Sequence, residues 1–310
     1  MDTLLAIDWG SSALRGALLD ASGRVLDERA VARGMLTIEP GGFAAVFESH
    51  FGDWMDGRAG QCLMAGMVGS KQGWVEAPYC PCPAGLDEIA ARLMPVSHVV
   101  GGRARRLAIV PGVTCERAGV PDVMRGEEIK VLGALDLLGV ADATIVLPGT
   151  HSKWAIVDDG QLRSFATFMT GELFAVLLAH SILGRMADRT EPAHATGEAF
   201  ESGVVKGLAG AGFSHVIFGA RTLALTGELA PRDVAEWLSG VLIGQEIQAA
   251  RAWVQAQRGD IDAVTVIGGE GLGARYMNAL AHAGIAAHLG PADAAATGLF
   301  RIAQRARIVV

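Results

Sequence analysis

The chain has 310 residues, of which 51% are hydrophobic and 19% charged, and this composition excludes an intrinsically disordered protein. At roughly 100–200 residues per domain, the length predicts two domains, each with a buried core. A net charge of −7 and a pI near 5.6 argue against a nucleic-acid-binding surface. Glycine accounts for 41 residues, scattered without a collagen-like period, which is typical of many tight turns after strands.

The cysteines and the apolar segments indicate where the protein functions. Cys62, Cys80, Cys82 and Cys115 show no paired CxxC spacing, and we interpret them as free thiols in a reducing compartment. The N-terminal residues lack the basic segment and the long apolar run of a signal peptide. No uninterrupted apolar run reaches the ~18 residues of a membrane span. We therefore expect a soluble, cytoplasmic protein without nucleic-acid or membrane partners.

A strand-and-turn unit occurs twice in the chain. Residues 4–28 contain three short apolar runs separated by Gly, Ser and Asp turns, which predicts a three-stranded meander. Residues 144–168 repeat this layout at an offset of about 140 residues, the size of a domain. The pattern predicts a duplicated domain.

Around the two meanders, predicted strands alternate with predicted helices, as in an α/β protein. The further strands are expected over residues 62–67, 107–110 and 263–267. Helices are expected over residues 43–54, 84–93, 126–138, 171–183, 233–257, 272–283 and 292–305. The boundary is expected at 139–143, between an N-terminal domain over 1–140 and a C-terminal domain over 141–291.

Each meander contains a turn that is suited to phosphate. Asp8 ends the first strand and precedes Gly10-Ser11-Ser12, where backbone N–H groups and hydroxyls can hold phosphate oxygens. The Asp8 carboxylate could also orient a hydrated Mg²⁺. Taken alone, such a segment is more often an ordinary turn, but Gly149-Thr150-His151 occupies the equivalent place in the second unit. Two such turns facing a cleft would hold a polyphosphate, and Gly268-Gly269 before a helix is a third candidate for nucleotide contact.

Five segments together carry a resemblance to the 2-dehydro-3-deoxygalactonokinase family of the actin-like ATPase superfamily. They are Ile7–Ser12, Gly66–Trp74, Pro121–Glu128, Leu147–Trp154 and Phe168–Phe174. The resemblance extends over essentially the whole chain. Two departures stand out: Lys71 replaces the usual Arg and loses its bidentate fork, and Ile129-Lys130 stands where Thr-Gln is expected.

The resemblance implies two ribonuclease-H-like domains around a central cleft, with the sugar acid on the N-terminal side and the nucleotide on the C-terminal side. The C-terminal helix, 292–306, is expected to pack back on the first domain. The implied reaction is phosphoryl transfer from MgATP to the terminal C6 hydroxyl of 2-dehydro-3-deoxy-D-galactonate. The residues expected to contact the sugar acid are Lys71, Trp74, Arg125, Lys153 and Glu172. Trp74 could instead belong to the core, and Thr170 before Glu172 could simply cap a helix.

A kinase also needs a carboxylate that accepts the hydroxyl proton or orients the hydroxyl for attack. Asp122, Glu127 and Glu128 lie in the window where related sugar kinases carry it. Glu127 is favoured and Asp122 comes second, because Gly126 lets that backbone approach substrate. Alternatives left open are the gluconate epimer as substrate, a phosphohydrolase, or a non-catalytic sugar-acid sensor. The apolar composition is compatible with a homodimer.

Overall fold

The computed structural model describes residues 3–100, 102–117, 119–188 and 196–309. Met1 and Asp2, part of the segment inspected for a signal peptide, lie outside the described residues. The strands are β1 (Leu4–Trp9), β2 (Leu14–Leu19), β3 (Val25–Val31), β4 (Gln61–Gly66), β5 (Cys80–Pro81), β6 (Met94–Val100), β7 (Arg103–Ile109), β8 (Val113–Arg117), β9 (Val120–Met124), β10 (Ala143–Leu147), β11 (Ser152–Asp158), β12 (Gln161–Phe168), β13 (Ala263–Val266) and β14 (Ala286–Leu289). The helices are α1 (Phe43–Gly57), α2 (Leu86–Ala90), α3 (Glu127–Leu138), α4 (Thr170–His180), α5 (Glu198–Leu208), α6 (Phe213–Val216), α7 (Gly219–Thr226), α8 (Val234–Arg258), α9 (Glu270–His282) and α10 (Ala294–Arg305).

The chain forms two compact units. Unit 1 comprises Met1–Asp142, Val157–Ser164 and Pro291–Val310, and unit 2 comprises Ala143–Ile156 and Phe165–Gly290. In the described part of the chain, no helix is both long and apolar enough to cross a membrane.

The core of unit 1 is a six-stranded sheet with the order β3-β2-β1-β4-β7-β6. The first three strands form the predicted meander, with β1 antiparallel to β2 and β2 antiparallel to β3. β1 also pairs in parallel with β4, so it lies inside the sheet, and its continuous apolar run is buried. Helix α1 packs its Phe47, Phe51 and Trp54 face into this core, while α10 packs on α3 and on β1.

Unit 2 repeats the arrangement. Its sheet has the order β12-β11-β10-β13-β14. As in unit 1, the first meander strand, here β10, pairs in parallel with a later strand, β13. Five strands of the first sheet, β3-β2-β1-β4-β7, therefore have the same order as the five strands of the second, which confirms the duplication and the predicted pair of ribonuclease-H-like units. Helix α8 contributes Ile243, Ile247 and Val254 to the core beside this sheet.

Some elements differ from the sequence predictions. The helix expected over 84–93 is only the short α2, because the chain enters β6 at Met94. The three-stranded sheet β5-β8-β9 and the helices α5–α7 were not predicted. The β8–β9 hairpin positions the chain for the site, because β9 ends directly before the turn that begins α3.

Candidate active site

The first glycine-serine turn joins β1 to β2. The Gly10 N–H donates to the Ala13 carbonyl at 2.9 Å, which closes the turn. The N–H groups of Met35 and Leu36 donate to the carbonyls of Gly10 and Ser11, so a second segment braces the turn from outside. The Ser11 and Ser12 side chains stay exposed and can act as donors to a phosphate.

The end of β1 meets the turn that begins α3. Asp8 lies one residue before the last residue of β1, and Gly66 at the end of β4 is in register with Trp9. Gly126 has a left-handed φ of 106°, and a Cβ on it would lie 3.1 Å from the Gly66 Cα and 3.9 Å from Asp8 Oδ1. Only glycine permits this φ and this approach without strain. The fold thus brings the start of α3 beside Asp8.

Three carboxylates were considered for the role of base, and the structure places them differently. Glu127 is half-buried, and its Oε2 accepts the Arg125 N–H at 3.0 Å. Asp122 lies on β9, and its Oδ1 accepts the Val123 N–H at 2.8 Å. Glu128 is 1% exposed, which removes it from direct contact with a substrate in this structure.

Glu128 is an unusual carboxyl group. Its Oε2 accepts the Gly126 N–H at 2.6 Å, and its Oε1 has no hydrogen-bond partner among the described residues. Burial, reinforced by the negative charge of Glu127, raises the pKa of Glu128 to about 8. Below about pH 8 the neutral form of this carboxyl group is therefore favoured, and the group supports the turn before α3.

A second phosphate-type turn lies in unit 2, between β10 and β11. A Cβ on Gly268 would lie 3.4 Å from Pro148 Cδ, so the Gly268-Gly269 segment adjoins this turn. The Glu172 N–H donates to the Thr150 carbonyl at 3.0 Å, and a Cβ on Gly171 would lie 2.5 Å from the Gly149 carbonyl oxygen. The first residues of α4 therefore pack directly against the turn. Gly149 itself has room, since the nearest atom to its Cβ position is 4.0 Å away.

The polar side chains around this turn have defined partners. His151 Nε2 pairs with Glu172 Oε2, and both side chains are about half exposed. Lys153 is buried, and its Nζ donates to Thr167 Oγ1 at 2.9 Å. The exposed His151–Glu172 pair borders the turn, whereas Lys153 lies in the sheet.

The expected sugar-acid residues of unit 1 also have different surroundings. Lys71 is exposed. Trp74 packs against Phe47 and His98, with ring centroids 5.6 and 5.2 Å apart, and so contributes to the core. Arg125 is half-buried; its Nη2 donates to the Ala77 carbonyl at 2.7 Å. Its Nε and Nη1 have no hydrogen-bond partner among the described residues.

Sequence reasoning missed one polar residue close to the unit 2 turn. Glu246 lies in the middle of α8, is 3% exposed, and accepts a hydrogen bond from Ser152 Oγ at 2.7 Å. The signal was present in the sequence, because an acid follows Leu242-Ile243 and precedes Ile247 in an apolar stretch of a predicted helix. Acids are rarely buried without donors around them.

Comparisons with known proteins agree along the length of the chain. A family model described as "DGOK: 2-keto-3-deoxy-galactonokinase" matches residues 8–302. The "Probable 2-dehydro-3-deoxygalactonokinase" of Rhizobium meliloti (strain 1021) is 36% identical over 302 residues, which cover 97% of this chain and 96% of the relative. The 2-dehydro-3-deoxygalactonokinase of Escherichia coli (strain K12) is 35% identical over 275 residues, 89% of this chain and 88% of the relative.

Solved structures agree as well. The structure described as "Crystal structure of a putative 2-dehydro-3-deoxygalactonokinase protein from Sinorhizobium meliloti" matches with a TM-score of 0.88 and 36% identity, covering 97% of this chain and 98% of that one. The activator of the 2-hydroxyisocaproyl-CoA dehydratase from Clostridium difficile, with bound ADPNP, matches with a TM-score of 0.50 and 12% identity, covering 99% and 96%. The second likeness shows a shared fold alone.

Proposed function

We propose that this chain, which belongs to the 2-keto-3-deoxy-galactonokinase family, transfers the γ-phosphate of ATP to the terminal C6 hydroxyl of 2-dehydro-3-deoxygalactonate. The observation that carries the proposal is the family match over nearly the whole chain, joined to a glycine-rich turn at the same place in both duplicated units. In the reaction the hydroxyl oxygen bonds to the γ-phosphorus, the bond to the β,γ-bridging oxygen breaks, and ADP leaves.

The nucleotide is assigned to unit 2. A distant neighbour that shares the fold was solved with bound ADPNP, so the fold is compatible with an adenine nucleotide. Gly149, Thr150 and His151 offer backbone and side-chain donors to phosphate oxygens, and Gly268-Gly269 adjoins them. The N–H groups at the start of α9, which follows Gly269, favour a negative group. Gly10, Ser11 and Ser12 in unit 1 stay predictions as phosphate-binding residues.

Asp8 is proposed to orient Mg²⁺. A single, partly exposed carboxylate at a strand end fits this ion, because Mg²⁺ keeps several waters and takes its remaining ligands from phosphates. Bound there, the ion would neutralise charge that develops on the transferred phosphoryl group. The described residues hold no cluster of three or more His, Cys, Asp or Glu side chains that could bind a metal ion by themselves.

Glu127 is proposed as the group that takes the hydroxyl proton, with Asp122 as the second candidate. Glu127 is half-buried, begins α3 beside the Gly126 turn, and uses only Oε2 to accept the Arg125 N–H. Glu128 is the weaker candidate because its carboxyl group is buried. In this scheme Glu128 supports the turn, and Glu127 acts on the substrate.

Unit 1 is proposed as the sugar-acid side, with Arg125 and Lys71 as the positive groups for the substrate carboxylate. Two buried guanidinium nitrogens of Arg125, Nε and Nη1, have no partner among the described residues, and a carboxylate that reached them would satisfy them. Trp74, Lys153 and Glu172 stay predictions as substrate contacts. A homodimer and a cytoplasmic location also stay predictions.

The testing experiment measures ADP release by the purified chain with 2-dehydro-3-deoxygalactonate, and with its gluconate epimer as the competing substrate. We expect turnover that requires the sugar acid and favours the galactonate form. ADP release that is independent of any sugar acid would indicate a phosphohydrolase instead. The matched variant is Gly149→Val. A Cβ at this position would lie no closer than 4.0 Å to the nearest protein atom, the His151 carbonyl oxygen, so the variant should raise the KM for ATP without lowering the melting temperature.

A further inference from the structure

Glu246 is the centre of a buried hydrogen-bond network in unit 2. Its Oε1 accepts from Ser152 Oγ at 2.7 Å and from Trp154 Nε1 at 2.8 Å. Its Oε2 accepts from Tyr276 Oη at 2.7 Å and from Thr170 Oγ1. An ionised carboxylate accepts hydrogen bonds but donates none, and its two oxygens can accept about four. The four donors around Glu246 therefore fill all of its acceptor positions.

We propose that Glu246 is the positioning residue of the nucleotide site, because it holds the Pro148–His151 turn and the start of α4 in one fixed arrangement. The inference rests on the proposed assignment of ATP to this turn. Glu246 acts through the residues it binds, since its own carboxylate is buried and faces protein donors on both oxygens.

The network reaches the turn from two sides. Ser152 is the residue that follows the turn and begins β11, so its hydroxyl fixes the exit of the turn. Thr170 is the first residue of α4 and directly precedes Gly171, where a Cβ would lie 2.5 Å from the Gly149 carbonyl oxygen. The Glu172 N–H then binds the Thr150 carbonyl. One carboxylate therefore fixes both segments that determine where the turn's N–H groups lie.

The fourth contact provides an internal control. Tyr276 lies on α9 and binds the same carboxylate as Thr170, but it follows the start of that helix by six residues. Loss of its hydroxyl removes one donor from Glu246 and leaves the Ser152 and Thr170 contacts in place. Loss of the Ser152 hydroxyl removes one donor of the same class and releases the turn.

The experiment compares Ser152→Ala with Tyr276→Phe in the full chain. Both lose one hydroxyl donor to Glu246, so both should lower the melting temperature. Only Ser152→Ala should raise the KM for ATP, by roughly tenfold, the equivalent of about 1.4 kcal/mol. The KM for the sugar acid should stay unchanged in both. Backbone hydrogen exchange at residues 149–152 should become faster in Ser152→Ala alone, which measures the turn without catalysis.

The outcomes separate this inference from the proposed function. If the wild-type chain binds a non-hydrolysable ATP analogue and both variants bind it equally well, the positioning role is wrong. Equal losses of ATP affinity in the two variants would also overturn it, because the loss would then not depend on a contact with the turn. If the wild-type chain binds no ATP analogue, the nucleotide assignment itself fails, while the exchange measurement still reports whether Ser152 holds the turn.

Discussion

Lys130 Nζ lies 3.6 Å from Asp8 Oδ2, and both side chains are partly exposed. Lys130 is one of the two places where the sequence departs from the family pattern, which leads us to expect Gln there. Its ammonium group thus neutralises the carboxylate that is proposed to orient Mg²⁺. A fixed positive charge and a divalent cation compete for the same oxygens.

Lys130→Gln should therefore increase the affinity of the site for Mg²⁺. We expect the Mg²⁺ concentration that half-saturates binding of a non-hydrolysable ATP analogue to fall severalfold, because the competing charge is gone. Calorimetric titration at a series of Mg²⁺ concentrations measures it. Lys130→Arg keeps the charge and is the control, so equal half-saturation in wild type, Lys130→Gln and Lys130→Arg would contradict the competition.

Asp8→Asn should leave the fold intact and reduce turnover by orders of magnitude, since an amide cannot supply the negative charge that orients the hydrated ion. Asn matches Asp in size, so the melting temperature should change little. The measurement is kcat at saturating Mg²⁺, ATP and sugar acid. Near-normal kcat under these conditions would remove Asp8 from the metal site.

Glu128→Gln should change the pH dependence of stability. The pKa of Glu128 rises from an ordinary value of 4.5 to about 8 in the folded chain, chiefly through burial. Between those values the folded state binds the proton that the unfolded state has lost, so the wild-type free energy of unfolding should fall as pH rises, by about 1.4 kcal/mol per pH unit from this group.

The measurement is urea unfolding of both proteins at pH 5, 6, 7 and 8. Gln mimics the neutral acid and can still accept a hydrogen bond from the Gly126 N–H. The free energy of unfolding of the variant should therefore not show the decrease with pH that comes from Glu128. Relative to wild type, the variant should become more stable as pH rises. Parallel stability curves for the two proteins would show that Glu128 is ionised in the folded chain at neutral pH.

The sequence predicted those parts of the site that depend on local order. Asp8, Gly10 and Gly149 follow apolar strands, and the repeat at an offset of about 140 residues placed both turns at equivalent strand ends. Helix α1 was predictable for the same reason, because its buried residues recur at helical spacing over Phe43–Met55.

Other parts depend on contacts that are remote in sequence. Glu246 is separated by 94 residues from Ser152 and by 76 from Thr170, so no local pattern joins them. The β8–β9 hairpin was not predicted, because Pro121 and Asp122 are residues typical of turns rather than of strands. The packing of Trp74 on Phe47 likewise follows from the tertiary fold.

Arg125→Ala should weaken binding of the sugar acid more than binding of ATP. The guanidinium is fixed in place, with its Cζ 4.4 Å from the Tyr79 ring centroid and its Nη2 bound to the Ala77 carbonyl. Buried N–H groups without partners cost free energy, and a bound carboxylate would satisfy them. A charged hydrogen bond contributes ~1.5–3 kcal/mol, which corresponds to a loss of roughly ten- to a hundredfold in sugar-acid affinity.

Separate titrations with sugar acid and with a non-hydrolysable ATP analogue measure the two affinities of the Arg125→Ala variant. Arg125→Lys keeps the charge without the planar fork, so it should recover part of the sugar-acid affinity. Weaker binding of ATP alone, or of both ligands equally, would indicate that Arg125 binds the phosphate groups of ATP and not the carboxylate of the sugar acid. A lower melting temperature with both affinities unchanged would show that Arg125 only holds the Tyr79 and Ala77 segment in place.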